Sequence, residues 1–203
     1  MINQQIDRCS KEVSSQLTAM RCNQFEIKMS NQYGQMINRI WTIQKVLNIK
    51  TLAFLRYENV GNTDIYIKPA FDTNQGIILI DNLRLDKLKK IKEEGLEPAV
   101  VIETSPRNYQ AWIRLTDDSL NQEIITEVNK LIAQQFTHQF KNWNYGRLAG
   151  FTNRKSNCRR IDGKYPWVTC VDATGQTARY GSKLIRQAIE IIERKYTIIE
   201  TEN

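Results

Sequence analysis

Residues 144–155 carry the densest set of chemically useful side chains in this chain. Their sequence, Asn-Tyr-Gly-Arg-Leu-Ala-Gly-Phe-Thr-Asn-Arg-Lys, places two glycines, two aromatic rings and three cations within twelve residues. Glycine lets a ligand approach the backbone closely, and arginine and lysine neutralise phosphate groups. The segment therefore predicts a surface that grips a phosphate chain. We expect backbone approach at Gly146 and Gly150, and polar contacts from Arg147, Asn153, Arg154 and Lys155.

The basic run continues beyond this segment, through Arg159, Arg160 and Lys164, with Asp162 as its one acidic residue. The whole chain has a formal net charge of +7, which also favours a polyanionic partner. We assign these three cations, together with Arg154, to nucleic acid. The alternative interpretation is a positively charged surface loop that has no partner.

Residues 103–112, Glu-Thr-Ser-Pro-Arg-Asn-Tyr-Gln-Ala-Trp, form a second chemically dense segment. Tyr109 offers a flat surface for a base, so we assign it to DNA. The alternative is a hairpin whose aromatic residues belong to the core. The polar side chains around the proline offer hydrogen bonds to a nucleotide, and they are Ser105, Arg107, Asn108 and Gln110.

Asp81 follows the apolar run Ile77–Ile80, which is typical of a buried strand. A carboxylate on a rigid strand end is a suitable ligand for a hard divalent cation. The alternative is an aspartate that only caps the next helix, as its neighbours Asn82 and Asp86 could also do.

The elements around these residues follow the order strand, helix, strand, strand, helix, strand, which is the split-βαβ, ferredoxin-like arrangement. Its predicted strands are residues 76–80, 99–102 and 109–115, with a fourth at 148–151 or 167–171; its helices are 85–94 and 119–136. Before it we expect a helix over 3–21, a strand over 25–29, a short helix over 42–47, and a strand pair over 52–57 and 64–68. A helix over 182–196 closes the chain.

This order has a geometric consequence for the site. A right-handed strand–helix–strand unit makes the first two strands parallel, and the third strand lies antiparallel between them. Asp81, Glu103 and the polar turn 104–110 should therefore meet at one edge of the sheet. A fourth strand that begins near Arg147 would bring the cations to the same edge, beside Asp81.

The composition is that of a soluble globular protein, with 203 residues, 41% hydrophobic and 25% charged. No apolar run approaches the roughly 18 residues of a membrane span, so we expect no membrane partner, no signal peptide and a cytoplasmic location. The four cysteines form no C-x-x-C pair and His138 is the only histidine, which argues against zinc and against Ser-His or Cys-His chemistry. We expect one domain, with an N-terminal α/β unit over 1–75, a sheet core over 76–175 and a C-terminal helix over 176–203.

These segments together resemble the RepB-like plasmid primases, a branch of the archaeo-eukaryotic primase superfamily. The likeness covers roughly residues 10–190. It rests on Ile80-Asp81, on residues 103–112 and on Tyr-Gly-Arg-Leu-Ala-Gly-Phe-Thr-Asn-Arg-Lys at 145–155. It also takes in residues 34–41, 64–69 and 165–167. Lys68, which lies within one of these matching stretches, is assigned to DNA.

The resemblance implies a fold and a reaction. The fold is an RNA-recognition-motif-like sheet with an added N-terminal α/β unit. The reaction is the synthesis of short primers on single-stranded DNA at a plasmid origin. It uses nucleoside triphosphates and two Mg²⁺ or Mn²⁺ ions that activate the attacking hydroxyl and stabilise the leaving group. A replicative helicase or an initiator is a possible partner, and we expect a monomer.

The sequence departs from the family at its metal ligands. The family usually has two adjacent aspartates where this chain has Asp81-Asn82, and a further aspartate near the position of Gln139, where residues 136–143 contain no carboxylate. Glu103 could join Asp81 as the catalytic metal ligand. Two functions therefore stay open: a working primase with an altered metal site, and a non-catalytic binder of single-stranded DNA or nucleotide. An RNA-binding module of the same sheet type is a third.

Overall fold

The computed structural model describes residues 2–70, 76–137 and 145–201. Its helices are α1 Ile2–Met20, α2 Ile43–Leu47, α3 Ile49–Val60, α4 Leu85–Glu93, α5 Gln122–Ile132 and α6 Gly181–Thr201. Its strands are β1 Gln24–Asn31, β2 Met36–Thr42, β3 Thr63–Pro69, β4 Ile77–Leu83, β5 Val100–Ser105, β6 Asn108–Arg114, β7 Gly146–Arg147 and β8 Thr169–Ala173. The predicted mixed α/β class is confirmed.

The N-terminal sheet has the strand order β2-β1-β3-β7, and all its neighbours are antiparallel. Residues Phe25, Ile27 and Met29 of β1 alternate with polar ones and are buried in the core. The intervening Glu26 and Lys28 lie opposite Lys68 and Tyr66 of β3. Because side chains alternate between the two faces of a strand, this outer face is polar.

The central sheet has the order β4-β6-β5-β8 and contains the split-βαβ unit. Strands β4 and β5 are both antiparallel to β6, so they are parallel to each other with β6 between them, as predicted. Of the two predicted fourth strands, the one near residues 167–171 is confirmed by β8, whereas a fourth strand of this sheet that begins near Arg147 is wrong. Strand β8 pairs with β5 at the far edge, whereas β7, which contains Arg147, pairs with β3 of the N-terminal sheet.

Two apolar clusters cover the two faces of the central sheet. On one face, Ile78, Ile80, Val101, Ala111 and Ile113 pack with α4, α5 and α6. The two helices predicted near 85–94 and 119–136 therefore lie on the same face of the sheet. On the other face, the shared core joins the central sheet to α1, α2, α3 and the N-terminal sheet, and its strand residues include Ile77, Leu79, Val100, Ile102 and Trp112.

The prediction of a strand over 52–57 is wrong, because these residues lie in α3. Asn48 caps this helix, and its side chain accepts a hydrogen bond from the Lys50 backbone N–H at 2.9 Å. Leu52, Leu55 and Asn59 are buried at helical spacing, so one face of α3 packs against the core. Strand β2 is largely exposed and has no counterpart among the predicted elements.

The predicted division of the chain at residue 75 stays a prediction. Strand β7, at residues 146–147, pairs with the N-terminal sheet, and the shared core draws on both sides of that boundary. None of the described helices is long and apolar enough to cross a membrane.

Candidate active site

A cleft of about 390 Å³ opens where the N-terminal sheet and the central sheet meet. We call it the Asp81 cleft. Its wall from the N-terminal sheet contains Tyr66 and Arg147, and its wall from the central sheet contains Asp81, Asn82, Asn108 and Gln110. Tyr145, Thr104 and a connecting segment with Asn153, Lys155, Asn157 and Cys158 complete the lining.

A bulge at the end of β4 presents Asp81 and Asn82 to this cleft. The pairing of β4 with β6 is regular as far as Ile80 and shifts before Leu83. Asn82 has a left-handed backbone, with φ of +59°, and Asp81 Oδ1 accepts a hydrogen bond from its N–H at 2.7 Å. A bulge re-aims side chains that would otherwise alternate, so both residues line the same cleft.

The hairpin between β5 and β6 supplies the polar floor of the cleft. The Asn108 amide donates to Thr104 Oγ1 at 3.1 Å, and the Asn153 amide donates to the Thr104 carbonyl at 2.9 Å. Gln110 is almost fully buried, and its Oε1 accepts from the Arg147 N–H at 2.7 Å. These bonds fix the orientation of the three amides, because each amide group has at least one defined partner.

Arg147 is the centre of a buried ion pair. Only 3% of Arg147 is exposed, and its guanidinium pairs with Asp64 and donates to the Tyr66 hydroxyl at 3.1 Å. Burial is the largest cause that raises the pKa of Tyr66 to about 12. The contact of Arg147 with phosphate stays a prediction, and Asp64 already neutralises its charge. Its place in the wall indicates that it positions other groups.

Gln16 of α1 holds the backbone of this wall from behind. Its side chain is fully buried, donates to the Arg147 carbonyl at 3.1 Å and accepts from the Ala149 N–H at 2.7 Å. A glutamine on the apolar face of a predicted helix is the signal in the sequence that could have identified it. Asp64 and Tyr66 had a similar signal, since they alternate with Ile65 and Ile67 on a predicted strand.

The predicted backbone approach of phosphate at Gly146 and Gly150 is wrong, because protein atoms occupy that space. A Cβ at Gly146 would lie 2.7 Å from Trp112 Cζ2, and one at Gly150 would lie 2.8 Å from the Cys9 carbonyl oxygen. Gly150 also has a φ of +87°. Both glycines therefore permit tight packing within the core.

Tyr145 covers the outer margin of the cleft. Its ring lies 5.1 Å from Lys28 Nζ and 4.7 Å from Lys68 Nζ, and its hydroxyl bonds to Glu26. Burial raises the pKa of the Glu26 carboxyl, but hydrogen bonds from Tyr145 and Lys68 outweigh burial and lower it overall. Lys68 is thus held in place by Glu26, at 2.9 Å, next to the cleft.

Lys155 presents the free cation of the cleft. Its side chain is exposed, and no carboxylate in the described part of the chain lies within 4.0 Å of it. Its backbone N–H donates to Asn153 Oδ1 at 3.2 Å, which orients the segment.

The structure does not bring Glu103 to Asp81. Glu103 pairs with Tyr109 across the hairpin, and Tyr109 packs on the helix-covered face of the central sheet. The Glu103 carboxylate instead accepts from the Arg107 N–H at 3.0 Å and so stabilises the turn. Ser105 and Arg107 also lie in this turn rather than in the cleft. Asp81 meets Thr104, Asn108 and Gln110 at one edge of the sheet, as predicted. Glu103 does not join them, because its side chain lies on the opposite face of the sheet.

The remaining predicted cations lie beyond the cleft. Arg154, Arg159 and Lys164 border a separate recess, and Arg160 pairs with Asp162 at 3.5 Å on the surface. His138 and Gln139 lie outside the described residues.

The metal-ligating oxygens at the cleft suit one divalent cation that binds together with the phosphates of a nucleotide. Among residues 2–70, 76–137 and 145–201 no group of three or more His, Cys, Asp or Glu side chains could hold a metal. Asp81 makes no salt bridge there, so its carboxylate is available. Mg²⁺ is often held by one or two carboxylates together with substrate phosphates and water, and Asp81 can supply that carboxylate.

Comparison with known proteins places this geometry in a family. Residues 43–197 match the RepB DNA-primase N-terminal domain. Mobilization protein A of Escherichia coli is 38% identical over 192 residues, which cover 93% of this chain and 27% of that protein. A DNA primase of Acidithiobacillus ferrooxidans is 30% identical over 166 residues, which cover 75% of this chain and 46% of that protein. The chain thus spans about a quarter of the first of these relatives and just under half of the second.

Solved structures show the same fold. The crystal structure of primase RepB' superposes with a TM-score of 0.88 at 35% identity, over 96% of this chain and 66% of that one. The catalytic domain of primase RepB' in complex with initiator DNA gives 0.85 at 36% identity, over 94% of this chain and 98% of that one. A cyanophage S-2L primase-polymerase domain, 11% identical with a TM-score of 0.58 over 87% of this chain and 96% of that one, shares the fold.

Proposed function

Because the chain belongs to the family of RepB DNA-primase N-terminal domains, we propose that it is a primase-type replication domain. It binds single-stranded DNA and nucleoside triphosphates, and it makes short primers at the origin of a plasmid or another mobile element. The observation that carries the proposal is the Asp81 cleft, where Asp81 and Lys155, neither of them ion-paired with another described residue, share one polar pocket. A helicase or initiator partner, a monomeric state and a cytoplasmic location belong to the same proposal.

The residues of the cleft have distinct roles in this proposal. Asn108 and Gln110 hydrogen-bond the nucleotide, since Gln110 uses its oxygen for Arg147 and keeps its NH₂ group as a donor. Lys155 neutralises phosphate charge, and Asn153 holds Lys155 in place. Arg147, Asp64 and Tyr66 keep the wall rigid, which preserves the geometry that catalysis needs.

The reaction is nucleotidyl transfer. The 3′-oxygen of the first nucleotide attacks the α-phosphorus of the next, a new phosphodiester bond forms, and the bond to the departing pyrophosphate breaks. The proton of the 3′-hydroxyl passes to solvent. Asp81 would hold the divalent cation, Mg²⁺ or Mn²⁺, which lowers the charge on the triphosphate and favours deprotonation of the hydroxyl. Lys155 stabilises the negative charge that develops on the phosphates.

The direct test is primer synthesis on a single-stranded template, with ribonucleotides or deoxynucleotides and with Mg²⁺ or Mn²⁺. We expect wild-type protein to make short products and Asp81→Asn to lose them by at least about 100-fold, because a metal ligand matters no less than the groups that orient it. The asparagine side chain at residue 81 would still offer an oxygen that accepts from the Asn82 N–H, so the bulge should persist. Asp86→Asn, an exposed change of equal charge on α4, is the control and should keep wild-type activity.

A second function has one observation in its favour. The described part of the cleft offers Asp81 as its one unpaired carboxylate, and Asn82 stands beside it. A non-catalytic domain that binds single-stranded DNA or nucleotide needs no second carboxylate, so it would tolerate the uncharged Asn82 at this position. Wild-type protein that binds DNA but makes no product with either metal would establish this second function.

A further inference from the structure

A short extended segment, residues 152–155, separates the Asp81 cleft from a second recess. Asn153 and Lys155 line the cleft, whereas Thr152 and Arg154 line the recess on the other side. This alternation is expected of extended backbone, whose successive side chains point in opposite directions. The wall between the two pockets is therefore one extended segment of the polypeptide.

We call the second pocket the Tyr165 recess. It has a volume of about 570 Å³ and is open to solvent. Its lining consists of Asn62, Thr152, Gly163 and Tyr165 with the three cations Arg154, Arg159 and Lys164. The Arg154 guanidinium lies 5.1 Å from the centre of the Tyr165 ring, and that of Arg159 lies 6.0 Å from it. The aromatic ring thus gathers two arginines around one pocket.

The positive charge of the recess is not neutralised within the described residues. No carboxylate there lies within 4.0 Å of the side-chain nitrogens of Arg154, Arg159 or Lys164, although the Arg154 backbone N–H donates to Asp64. The nearby acids are already engaged: Asp64 pairs with Arg147, and Asp162 pairs with Arg160. Three cations that converge without a counterion indicate a binding site for an anion.

Arg154 adds a second, independent observation. Its Nε is buried and has no hydrogen-bond partner, although its backbone N–H donates to Asp64 at 2.7 Å. A buried donor without a partner is rare in folded proteins and calls for an explanation. Burial is the largest cause that lowers the pKa of Arg154, while the charges of Tyr165 and Asp64 act in the opposite direction. An anionic ligand in the recess would complete this site.

We propose that the Tyr165 recess binds phosphate groups next to the Asp81 cleft, with Arg154, Arg159 and Lys164 as the contacts. The phosphates come from a single strand of DNA or from a free nucleoside triphosphate. The inference rests on the proposed function, because it names where that protein holds the phosphates outside its reaction pocket. Arginine and lysine suit phosphate in both sources.

The test uses full-length protein with a fluorescein-labelled single-stranded oligodeoxynucleotide, followed by anisotropy as a function of salt. Lys164→Gln and Arg159→Gln change exposed side chains, and Tyr165→Leu removes the ring without a change in charge. For each cation that contacts DNA, the log–log salt slope should become less steep by about 0.7, with roughly fivefold weaker binding at 0.1 M salt. Arg186→Gln, an exposed charge change on α6, is the matched control and should alter neither quantity.

Calorimetry with ATP and with inorganic triphosphate identifies the source. If the recess variants bind DNA more weakly than the wild type but bind triphosphate equally well, the recess holds the DNA strand. If they bind triphosphate more weakly but bind DNA equally well, the recess holds the nucleotide. If the recess variants bind both ligands like the wild type and the Arg186→Gln control, the inference is overturned.

The same variants separate this inference from the proposed function. If wild-type protein makes no primers but the recess variants bind DNA more weakly, the recess stands and the polymerising function fails. If primers are made and the recess variants bind normally, the recess alone fails.

Discussion

Asp81 is the carboxylate on which the proposed chemistry depends, and its neighbour Asn82 determines how much charge that position carries. Both residues line the cleft because the bulge interrupts the alternation of β4. Asn82 has a left-handed backbone, a conformation that Asn and Asp adopt more readily than other residues with a side chain. An aspartate at residue 82 therefore fits the existing backbone.

We predict that Asn82→Asp lowers the Mg²⁺ concentration needed for half-maximal primer synthesis, because metal affinity rises with the number of anionic ligands. The measurement is a Mg²⁺ titration of primer synthesis beside wild type. Asn82→Ala serves as the control, since it removes the amide and should raise the Mg²⁺ requirement. An Asn82→Asp variant with an unchanged Mg²⁺ requirement would show that residue 82 does not face the metal.

Asp64 and Arg147 form a buried pair that stabilises the wall of the cleft. We predict that Asp64→Asn lowers the free energy of unfolding by about 3–5 kcal/mol, because it leaves the Arg147 charge buried without a counterion. Urea unfolding measures this change. The comparison variant is Arg179→Met, which breaks the Arg179–Glu97 pair at a position that is 77% exposed and should cost less than about 1 kcal/mol. Equal losses in the two variants would contradict the structural role of the buried pair.

At the scale of elements, α5 and α6 are joined by ion pairs around one carboxylate. Glu127 of α5 accepts from Lys195 of α6 at 2.7 Å and from Lys130 at 3.1 Å. The hydrogen bond from Lys195 is the main cause that lowers the pKa of Glu127. A carboxyl whose pKa is lower in the folded state stabilises the fold above its unfolded pKa and loses that contribution as the pH falls through its folded pKa.

We therefore predict that wild type exceeds Glu127→Gln in stability at neutral pH, and that the difference disappears in acid, below the ordinary pKa of 4.5. The difference should stay under about 1 kcal/mol, because both lysines are about half exposed and solvent screens them. Urea unfolding between about pH 3 and about pH 7 covers the transition. A difference that is constant across this range would rule out the carboxylate as its cause.

At the scale of the whole molecule, one apolar core joins the two sheets. It includes Phe25 and Ile67 of the N-terminal sheet and Val100, Ile102 and Trp112 of the central sheet. Strand β7 adds a backbone connection between the halves, since it follows α5 in the chain yet pairs with β3. Separation of the halves would expose this core to water, which is unfavourable.

We predict that the protein unfolds in urea in a single cooperative transition. Tryptophan fluorescence, to which Trp112 in the shared core contributes, should change together with the far-ultraviolet circular dichroism of the helices. Two separate transitions would instead support independent units divided near residue 75.

Much of the element order was predictable from sequence, because local periodicity determines it. The apolar run of β4, the helical spacing of α5 and the polar turn between β5 and β6 each require only neighbouring residues. The strand predicted over residues 52–57 is wrong, since a short apolar stretch is compatible with either helix or strand. Packing against the rest of the protein favours the helix, because a helix places both Leu52 and Leu55 in the core.

The sequence by itself determined the chemistry that this protein can offer: the cations of residues 147–164, the amides of residues 103–110 and the carboxylate of Asp81. Only the tertiary structure decided which of them meet. Asp64 neutralises Arg147 from 83 residues away, and Glu103 lies on the opposite face of the sheet from Asp81. The reason is physical: periodicity is local, whereas bulges, strand partners and buried ion pairs depend on how distant elements pack.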